Sequence, residues 1–190
     1  MIAMDALDRS WPAFYRSRMD DGYLNYVKDR YRRFITEISR RIDNADRVLE
    51  LGAGTATITR SLIDEVKSTA DFIASDINPE MRRMSTFRLM GTSAVVCEQD
   101  AKKPSLCYND IVHSHGLLEH FSDQEIRQII REHKCARAQI HYVPGLYPYP
   151  TYGDERLMSV DEWRRICNPT EIITFNDGLD YILIWDRRTP

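Results

Sequence analysis

Residues 48–57 read Val-Leu-Glu-Leu-Gly-Ala-Gly-Thr-Ala-Thr, and this stretch predicts a strand, a glycine turn and the start of a helix. The apolar run at its beginning is short enough for a buried strand, whereas the residues from Thr55 onward have helical spacing. Gly52 and Gly54 lie between the two, where glycine permits backbone angles that other residues avoid and lets a ligand approach the main chain. Because the following helix would offer unpaired N–H groups and a positive dipole end, the stretch is typical of a nucleotide-binding turn.

The details of the turn indicate which ligand it binds. Dinucleotide-binding turns have the pattern G-x-G-x-x-G, and Thr57 stands where the third glycine would be. Glu50 would repel a pyrophosphate but would attract a ligand that carries an ammonium and a sulfonium, as S-adenosylmethionine does. The pattern Glu50-x-Gly52-x-Gly54-x-Ala56 resembles the first motif of the class I methyltransferases. This resemblance implies that the methionine end of S-adenosylmethionine is bound by Glu50, Gly52, Ala53 and Gly54.

Strands and helices alternate from residue 47 onward, which predicts a parallel sheet with crossover helices. The predicted strands are residues 47–52, 71–76, 93–98, 109–114, 138–143, 170–175 and 179–186. The predicted helices are residues 55–66, 79–90, 122–134 and 159–167. The last two strands are separated only by residues 176–178, Asn-Asp-Gly, which are typical of a hairpin turn. The expected fold is therefore α/β: a three-layer sandwich with a seven-stranded, mainly parallel sheet that ends in an antiparallel hairpin, as the resemblance to class I methyltransferases also implies.

The chain of 190 residues is predicted to form a single methyltransferase domain. Residues 45–186 would be its Rossmann-like core, and residues 1–44 an N-terminal helical cap. Apolar side chains between Tyr23 and Ile38 recur at helical spacing and predict one amphipathic helix that lies on the core. Such a stripe usually packs in a core, although aromatic side chains of the cap could also cover a bound cofactor.

Composition limits the classes of function that are expected. The 26 Lys and Arg residues are balanced by 29 Asp and Glu residues, so the formal charge of −3 offers no broad basic surface for nucleic acid. No apolar run is long enough to span a membrane, and Asp5 comes too early for a secretory signal, so a cytoplasmic location is expected. The four cysteines form no C-x-x-C pair, which favours neither a disulfide framework nor a zinc cluster.

Two further strand ends resemble cofactor motifs of the same family. Asp76 ends the second strand, and the resemblance implies that it accepts both ribose hydroxyls while Ile77 covers one face of the adenine. Asp100 and Ala101 follow the third strand and are implied to bind the adenine amino group and a ring nitrogen. Taken alone, Asp76 could be an acid at a helix N-terminus and Asp100 a loop acid that faces water.

The fourth strand and its exit resemble the fourth motif of the small-molecule methyltransferases, in which a strand is followed by Leu-Glu-His-Phe. Ser114 and His115 are predicted to contact the cofactor. His120 could accept a proton from a hydroxyl or amine nucleophile, or it could be a structural histidine bonded to a backbone carbonyl. His113, His115 and His120 could suggest a metal site, but no acidic or thiolate partners are apparent, so no metal is expected.

The acceptor site is predicted from aromatic residues in two segments, the start of the chain and the loop after the fifth strand. The loop after the fifth strand is rich in proline and tyrosine, and it should overhang the carboxyl ends of the strands, where ligands of α/β sheets bind. The predicted acceptor-binding residues are Trp11, Tyr15, Tyr147, Tyr149 and Tyr152.

The resemblance implies an S-adenosylmethionine-dependent methyltransferase that works by in-line displacement and releases S-adenosylhomocysteine. A small-molecule acceptor is favoured by the acidic charge balance, by the loop aromatics and by the lack of an Asn/Asp-Pro-Pro-Tyr/Phe motif, which many adenine and cytosine amino methyltransferases carry. One alternative is a protein or nucleic-acid methyltransferase that needs a partner chain, which the arginine-rich first helix would support. The other is a non-catalytic subunit that binds S-adenosylmethionine.

Overall fold

The computed structural model describes residues 10–44, 46–66, 68–105 and 108–187. The strands in this part of the chain are β1 (Arg47–Leu51), β2 (Asp71–Asp76), β3 (Val95–Glu98), β4 (Ile111–His115), β5 (Ala138–Pro144), β6 (Glu171–Phe175) and β7 (Asp180–Asp186). The helices are α1 (Trp11–Arg16), α2 (Asp21–Arg30), α3 (Arg32–Ser39), α4 (Thr57–Glu65), α5 (Pro79–Arg88), α6 (Asp123–Glu132) and α7 (Val160–Cys167). A short 3-10 turn, Leu118–His120, follows β4. Residues 1–9 of the predicted cap lie outside the described residues.

The seven strands form one sheet in the order β3-β2-β1-β4-β5-β7-β6. Neighbouring strands from β3 to β5 are parallel, whereas β7 is antiparallel to both β5 and β6. Asn176, Asp177 and Gly178 connect β6 to β7 with φ of +49°, +58° and +82°, the left-handed conformation that such a tight turn requires. Helices cover both faces, so the predicted three-layer α/β fold with a terminal antiparallel hairpin is confirmed.

The predicted strands and core helices all exist, and their ends differ from the structure by no more than two residues. The start of α4 shows why they differ. Helical spacing begins at Thr55, but Ala56 has a φ of +53° and belongs to the turn, so α4 begins at Thr57. The capping box predicted before α7 is present, with Ser159 and Glu162 bonding to each other's backbone N–H groups.

The cap contains a helix break that the hydrophobic pattern did not predict. One amphipathic helix was expected between Tyr23 and Ile38, but α2 and α3 are separate helices that meet at Tyr31, whose φ of −108° and ψ of 21° are not helical. The Tyr31 ring packs edge-on against His115 and Tyr142, with ring centroids 4.2 and 4.9 Å apart. Both helices bury apolar residues in the same core, so the helical spacing of apolar residues continues across the break. The hydrophobic pattern of the sequence therefore does not reveal the break.

Buried ion pairs attach α3 to the sheet. Glu37 is 1% exposed and pairs with Arg33, Arg40 and Arg41, and Arg41 also donates to Asp186 on β7 at 2.8 Å. The cap is therefore held to the core by charge as well as by apolar packing. No helix in the described part of the chain has the length and apolarity needed to cross a bilayer.

The strand order determines where a ligand can bind. β1 lies between β2 and β4, so the chain leaves β1 toward one side of the sheet and later returns to the other. Open α/β sheets bind ligands in the crevice that this change of direction leaves at the carboxyl ends of the strands.

Candidate functional site

A cavity of about 700 Å³ lies at the carboxyl ends of β1, β2 and β4. Cavities of this size enclose small-molecule ligands in other proteins. Its walls come from two sets of residues, which we name separately. The turn side contains lining residues within 50–58, 76–81 and 99–102. The lid side contains lining residues within 11–31 and 115–121, residues of β5, and the β5–α7 loop, residues 145–159.

The glycine turn after β1 has little space above its first residue. Gly52 and Gly54 have φ of +59° and +56°, which disfavours any residue with a Cβ. A Cβ added to Gly52 would lie only 2.6 Å from Cδ1 of Leu117, which follows β4. The turn is also hydrogen-bonded to β2, because Ala53 N–H donates to the Ser75 carbonyl at 2.8 Å. All three predicted turn residues, including Ala53, line the cavity.

Glu50 is a buried carboxyl group at the base of the turn side. It is 2% exposed, and its Oε2 accepts hydrogen bonds from the backbone N–H and hydroxyl of Thr59 at 3.1 and 2.5 Å. Burial raises the pKa of Glu50 to about 7, and nearby Asp76 raises it further while the Thr59 bonds lower it. A cationic ligand in the cavity would stabilise the charged form of this group, so Glu50 fits the ammonium-bearing ligand that the sequence predicts.

Asp76 has more partners than the sequence suggested. Its Oδ2 accepts from Gly54 N–H at 2.9 Å and its Oδ1 from Asn78 N–H at 2.8 Å, so one carboxylate joins the glycine turn to the start of α5. Burial raises the pKa of Asp76, and these backbone bonds oppose the shift. The Asp76 carboxylate therefore holds the glycine turn in place, and it also borders the cavity, where a ligand can reach it.

The remaining turn-side residues also line the cavity. Ile77 is 63% exposed at its edge. Asp100 bends the chain by accepting from Lys102 N–H at 3.0 Å, and Ala101 is buried with its carbonyl bonded to His133 at 3.1 Å. Together they form an apolar and polar edge beyond Asp76.

Ser114 and His115, the two residues at the end of β4 that were predicted to contact the cofactor, lie in different environments. Successive side chains of a strand point to opposite faces. His115 therefore lines the cavity and stacks on Tyr142 at 4.6 Å, whereas Ser114 is fully buried on the other face with its Oγ 2.8 Å from His141 Nδ1. The Ser114 side chain therefore does not line the cavity, because strand register places it in the core. His113 shares the face of His115 but is also fully buried.

His113 and His115 are buried, uncharged imidazoles. Burial lowers the pKa of both His113 and His115 to about 3, so both are neutral. Among the described residues, no group of three or more His, Cys, Asp or Glu side chains could hold a metal ion.

His120 lies on the lid side and has a carboxylate partner. Its Nδ1 is 2.7 Å from Oδ1 of Asp154 in the β5–α7 loop, and its ring packs edge-on against Trp11 at 5.5 Å. An Nδ1–H donated to a carboxylate leaves Nε2 as the proton-accepting nitrogen. Neither predicted arrangement included this pair: the partner is a side chain rather than a backbone carbonyl, and the imidazole borders the cavity.

Aromatic side chains close the lid side. The Tyr152 ring lies 5.5 Å from Trp11 and 4.5 Å from Phe14, so the β5–α7 loop and α1 are in direct contact over the cavity. Of the five residues predicted to bind the acceptor, Trp11, Tyr15, Tyr147 and Tyr152 line the cavity. Tyr149 is not among the lining residues: it is 52% exposed and stacks on Tyr147 with ring centroids 5.2 Å apart.

A buried carboxylate on β7 holds two of the lining tyrosines, and the sequence did not indicate it. Asp180 is fully buried and accepts from the hydroxyl groups of Tyr142, at 2.9 Å, and Tyr147. Arg30 of the cap and Asn176 of the hairpin bond its other oxygen at 2.9 and 2.6 Å. Its partners are distant in sequence, so no local pattern could have predicted this role.

Glu119 lines the cavity but is not among the residues that the sequence predicted for the site. It lies in the Leu-Glu-His-Phe motif, which gives its position but not its burial. It is 2% exposed, and burial raises its pKa to about 8, with Glu155 and Asp154 raising it further. Its Oε2 has no hydrogen-bond partner among the described residues.

Comparisons with known proteins agree with this geometry. A family model described as a methyltransferase domain matches residues 48–137, from β1 to the residue before β5. No curated protein matches the chain.

Solved structures share the fold at low sequence identity. A SAM-dependent methyltransferase from Aquifex aeolicus is 14% identical with a TM-score of 0.66, over 87% of this chain and 97% of that one. A complex between the Haloferax volcanii Trm112 methyltransferase activator and a protein assigned as a methyltransferase gives 14% identity and a TM-score of 0.69, over 92% and 96%. The magnesium protoporphyrin IX methyltransferase of Synechocystis PCC 6803, with bound SAH, is 15% identical with a TM-score of 0.60, over 90% of this chain and 86% of that one.

Proposed function

We propose that the chain, whose residues 48–137 match a methyltransferase domain, is an S-adenosylmethionine-dependent methyltransferase that acts on a small-molecule acceptor held on the lid side of the cavity. The observation that carries this proposal is the contact between α1 and the β5–α7 loop. Tyr152 packs on Phe14 at 4.5 Å, and a Cβ at Gly153 would lie 3.0 Å from Trp11. A roof of this kind leaves an enclosed space beside the cofactor site rather than an open groove for a large acceptor.

The cofactor would occupy the turn side. When bound, S-adenosylmethionine supplies an electrophilic methyl group. Glu50 and the turn residues Gly52, Ala53 and Gly54 would bind its methionine end, with Glu50 balancing the positive charge. Asp76 would accept hydrogen bonds from the ribose.

The adenine would lie at the far edge of the turn side. Ile77 offers an exposed apolar surface to one face of the ring, and Asp100 and Ala101 would bond its edge. His115 would border the cofactor from β4, stacked on Tyr142.

Orientation of the two reactants would supply most of the rate acceleration. Holding reacting groups at near-attack distance can contribute about 7 to 11 kcal/mol, which is more than one general base usually adds. The aromatic roof would exclude water from the space where the acceptor meets the cofactor. His120, oriented by Asp154, would carry away the proton that the acceptor loses.

A macromolecular acceptor that requires a partner chain is the second candidate, because the similar Haloferax volcanii structure is a complex with an activator. The arginine-rich cap gives it less support than its sequence suggested. Arg33, Arg40 and Arg41 pair with Glu37, and Arg30 pairs with Asp180, so these side chains are engaged within the chain.

The two candidates are separated by labelling. A cell extract is divided into small-molecule, protein and nucleic-acid fractions, and each is incubated with the protein and isotopically labelled S-adenosylmethionine. Label in the small-molecule fraction, found by mass spectrometry, supports the proposal, and label only in a macromolecular fraction supports the second candidate. Calorimetry that finds no S-adenosylmethionine binding would overturn both.

A further inference from the structure

The lid side contains a buried acid whose bonding is incomplete. Glu119 follows β4 in the 3-10 turn, and a Cβ added to Gly116 would lie 3.4 Å from its Oε1, so the carboxyl group lies against the end of β4 in the cavity wall. Oε2 has no hydrogen-bond partner among the residues that the structure describes. Buried polar atoms in native proteins nearly always have partners, so an unpaired carboxyl oxygen at a ligand cavity indicates that a ligand supplies the partner.

The charged residues around Glu119 indicate whether that ligand is a cation or an anion. Glu155 also lines the lid side, and His120 is paired with Asp154 nearby. Lys102 is the one Lys or Arg among the described residues that line the cavity, and it belongs to the turn side, where it pairs with Glu125. The lid side is therefore acidic and lacks a basic side chain of its own. It would repel a carboxylate or phosphate on the acceptor and attract a cation.

The aromatic rings on the lid side also favour a cationic ligand. Trp11 packs against both His120, the residue after Glu119, and Tyr152, with centroids 5.5 Å away in each case, and all four residues line the lid side. The faces of Trp and Tyr rings attract ammonium groups, and more strongly where water is excluded. Acidic and aromatic groups that converge on one space are the combination that binds an amine.

We propose that the methyl acceptor is an amine whose nitrogen is bound by the Glu119 carboxyl group beneath the rings of Trp11 and Tyr152. This inference rests on the proposed methyltransferase function and specifies its acceptor class. The amine enters as an ammonium and gives one proton to the Glu119 carboxylate. The nitrogen lone pair then forms the new N–C bond as the methyl–sulfur bond breaks, and the sulfur keeps that electron pair.

The reaction balances in charge and protons. The positive charge of the sulfonium is transferred to the methylated nitrogen, S-adenosylhomocysteine is the neutral sulfide product, and one proton is released. The bound ammonium stabilises the charged form of Glu119, and the raised pKa of this group favours its taking up the proton as the amine reacts. His120 with Asp154 lies beside it to pass the proton to water.

Three ligands that share a phenylethyl group and carry polar groups of different charge test the inference. The protein is saturated with S-adenosylhomocysteine and titrated in a calorimeter with 2-phenylethylamine, 2-phenylethanol and 3-phenylpropionate. We expect the amine to bind about tenfold more tightly than the alcohol, and the carboxylate to bind least. Glu119→Gln keeps the shape of the side chain but removes its charge, so amine affinity should fall about tenfold while alcohol affinity stays the same. Glu119→Asp should keep part of the preference.

Controls separate this inference from the function on which it rests. Glu65→Gln makes the same charge change at an exposed position at the end of α4 and should leave all three affinities unchanged. Circular dichroism and S-adenosylhomocysteine affinity show whether each variant is folded. If the wild-type protein binds S-adenosylhomocysteine but binds the amine no better than the alcohol, or if Glu119→Gln keeps the preference, the amine inference is overturned and the methyltransferase function is not. If S-adenosylhomocysteine itself does not bind, the proposed function is overturned.

Discussion

Two buried glutamates border the cavity, and they are bonded differently. Glu50, on the turn side, accepts two hydrogen bonds from Thr59, nine residues later in the chain. Glu119, on the lid side, has an oxygen without a hydrogen-bond partner among the described residues. Glu50 is thus bonded within its own strand, turn and helix, whereas Glu119 has bonding capacity that a ligand can use.

The comparison extends to how each side is assembled. The turn side is a strand–turn–helix unit whose backbone is linked to β2 by the Asp76 carboxylate. The lid side is assembled from α1, the 3-10 turn and the β5–α7 loop, joined by contacts such as Tyr152 on Phe14 and His120 on Asp154. If the two sides are independent, substitutions on one should leave the function of the other unchanged.

The largest expected effect is on the lid side. His120→Asn should lower turnover about a hundredfold, because it removes the proton-accepting nitrogen, while affinity for S-adenosylmethionine stays the same. Turnover is measured with the acceptor found by labelling, and cofactor affinity by calorimetry. Asp154→Asn keeps the hydrogen bond but removes its charge, so its effect should be smaller. A loss of cofactor affinity in either variant would show that the two sides are coupled.

The next effect is on the turn side. A Cβ at Gly52 would push Leu117 into the cavity, and overpacking of this kind costs about 1 to 3 kcal/mol, so Gly52→Ala should weaken S-adenosylmethionine binding about ten- to hundredfold. Gly91→Ala is the matched control, since Gly91 also has a positive φ, +82°, but a Cβ there meets nothing within 4 Å. Equal losses of cofactor affinity in the two variants would mean that backbone strain, rather than contact with Leu117, is responsible.

Asp76→Asn should weaken S-adenosylmethionine binding about tenfold, since hydrogen bonds to a charged group contribute about 1.5 to 3 kcal/mol. Asn is preferable to Ala because Asp76 also accepts from Gly54 and Asn78, and an Asn side chain retains one acceptor. Asp71→Asn, at the exposed start of the same strand, is the control. Unchanged affinity in a folded Asp76→Asn protein would remove the proposed ribose contact.

The smallest effect is a pH dependence of cofactor affinity. The pKa of Glu50 is about 7, so the carboxyl group of the free protein is mostly neutral at pH 6 and mostly charged at pH 8. A cationic ligand favours the charged form, so S-adenosylmethionine affinity should rise with pH by up to about tenfold between these values. Glu50→Gln should remove this rise, whereas Glu119→Gln should keep it. A rise that persists in Glu50→Gln would assign the titration to another group.

Local chemistry allowed the sequence by itself to determine the turn side. Gly52 and Gly54 need left-handed angles that their own residue type permits, and helix caps and hairpin turns depend on residues within a few positions of one another. The mainly parallel sheet followed from the alternation of strands and helices, although the order of its strands did not. The positions of the predicted turn-side residues along the cavity therefore follow from local patterns, although the second role of Asp76 does not.

The sequence indicated several aromatic residues of the lid side, but tertiary structure decided their contacts, because these join distant parts of the chain. His120 and Asp154 are 34 positions apart, and Tyr152 packs on α1 across most of the sequence. Whether a side chain faces the cavity depends on strand register for Ser114 and on one stacking contact for Tyr149. The environment of Glu119 likewise arises only when the end of β4 and the β5–α7 loop meet, since desolvation and electrostatic repulsion are set by neighbours in space rather than in sequence.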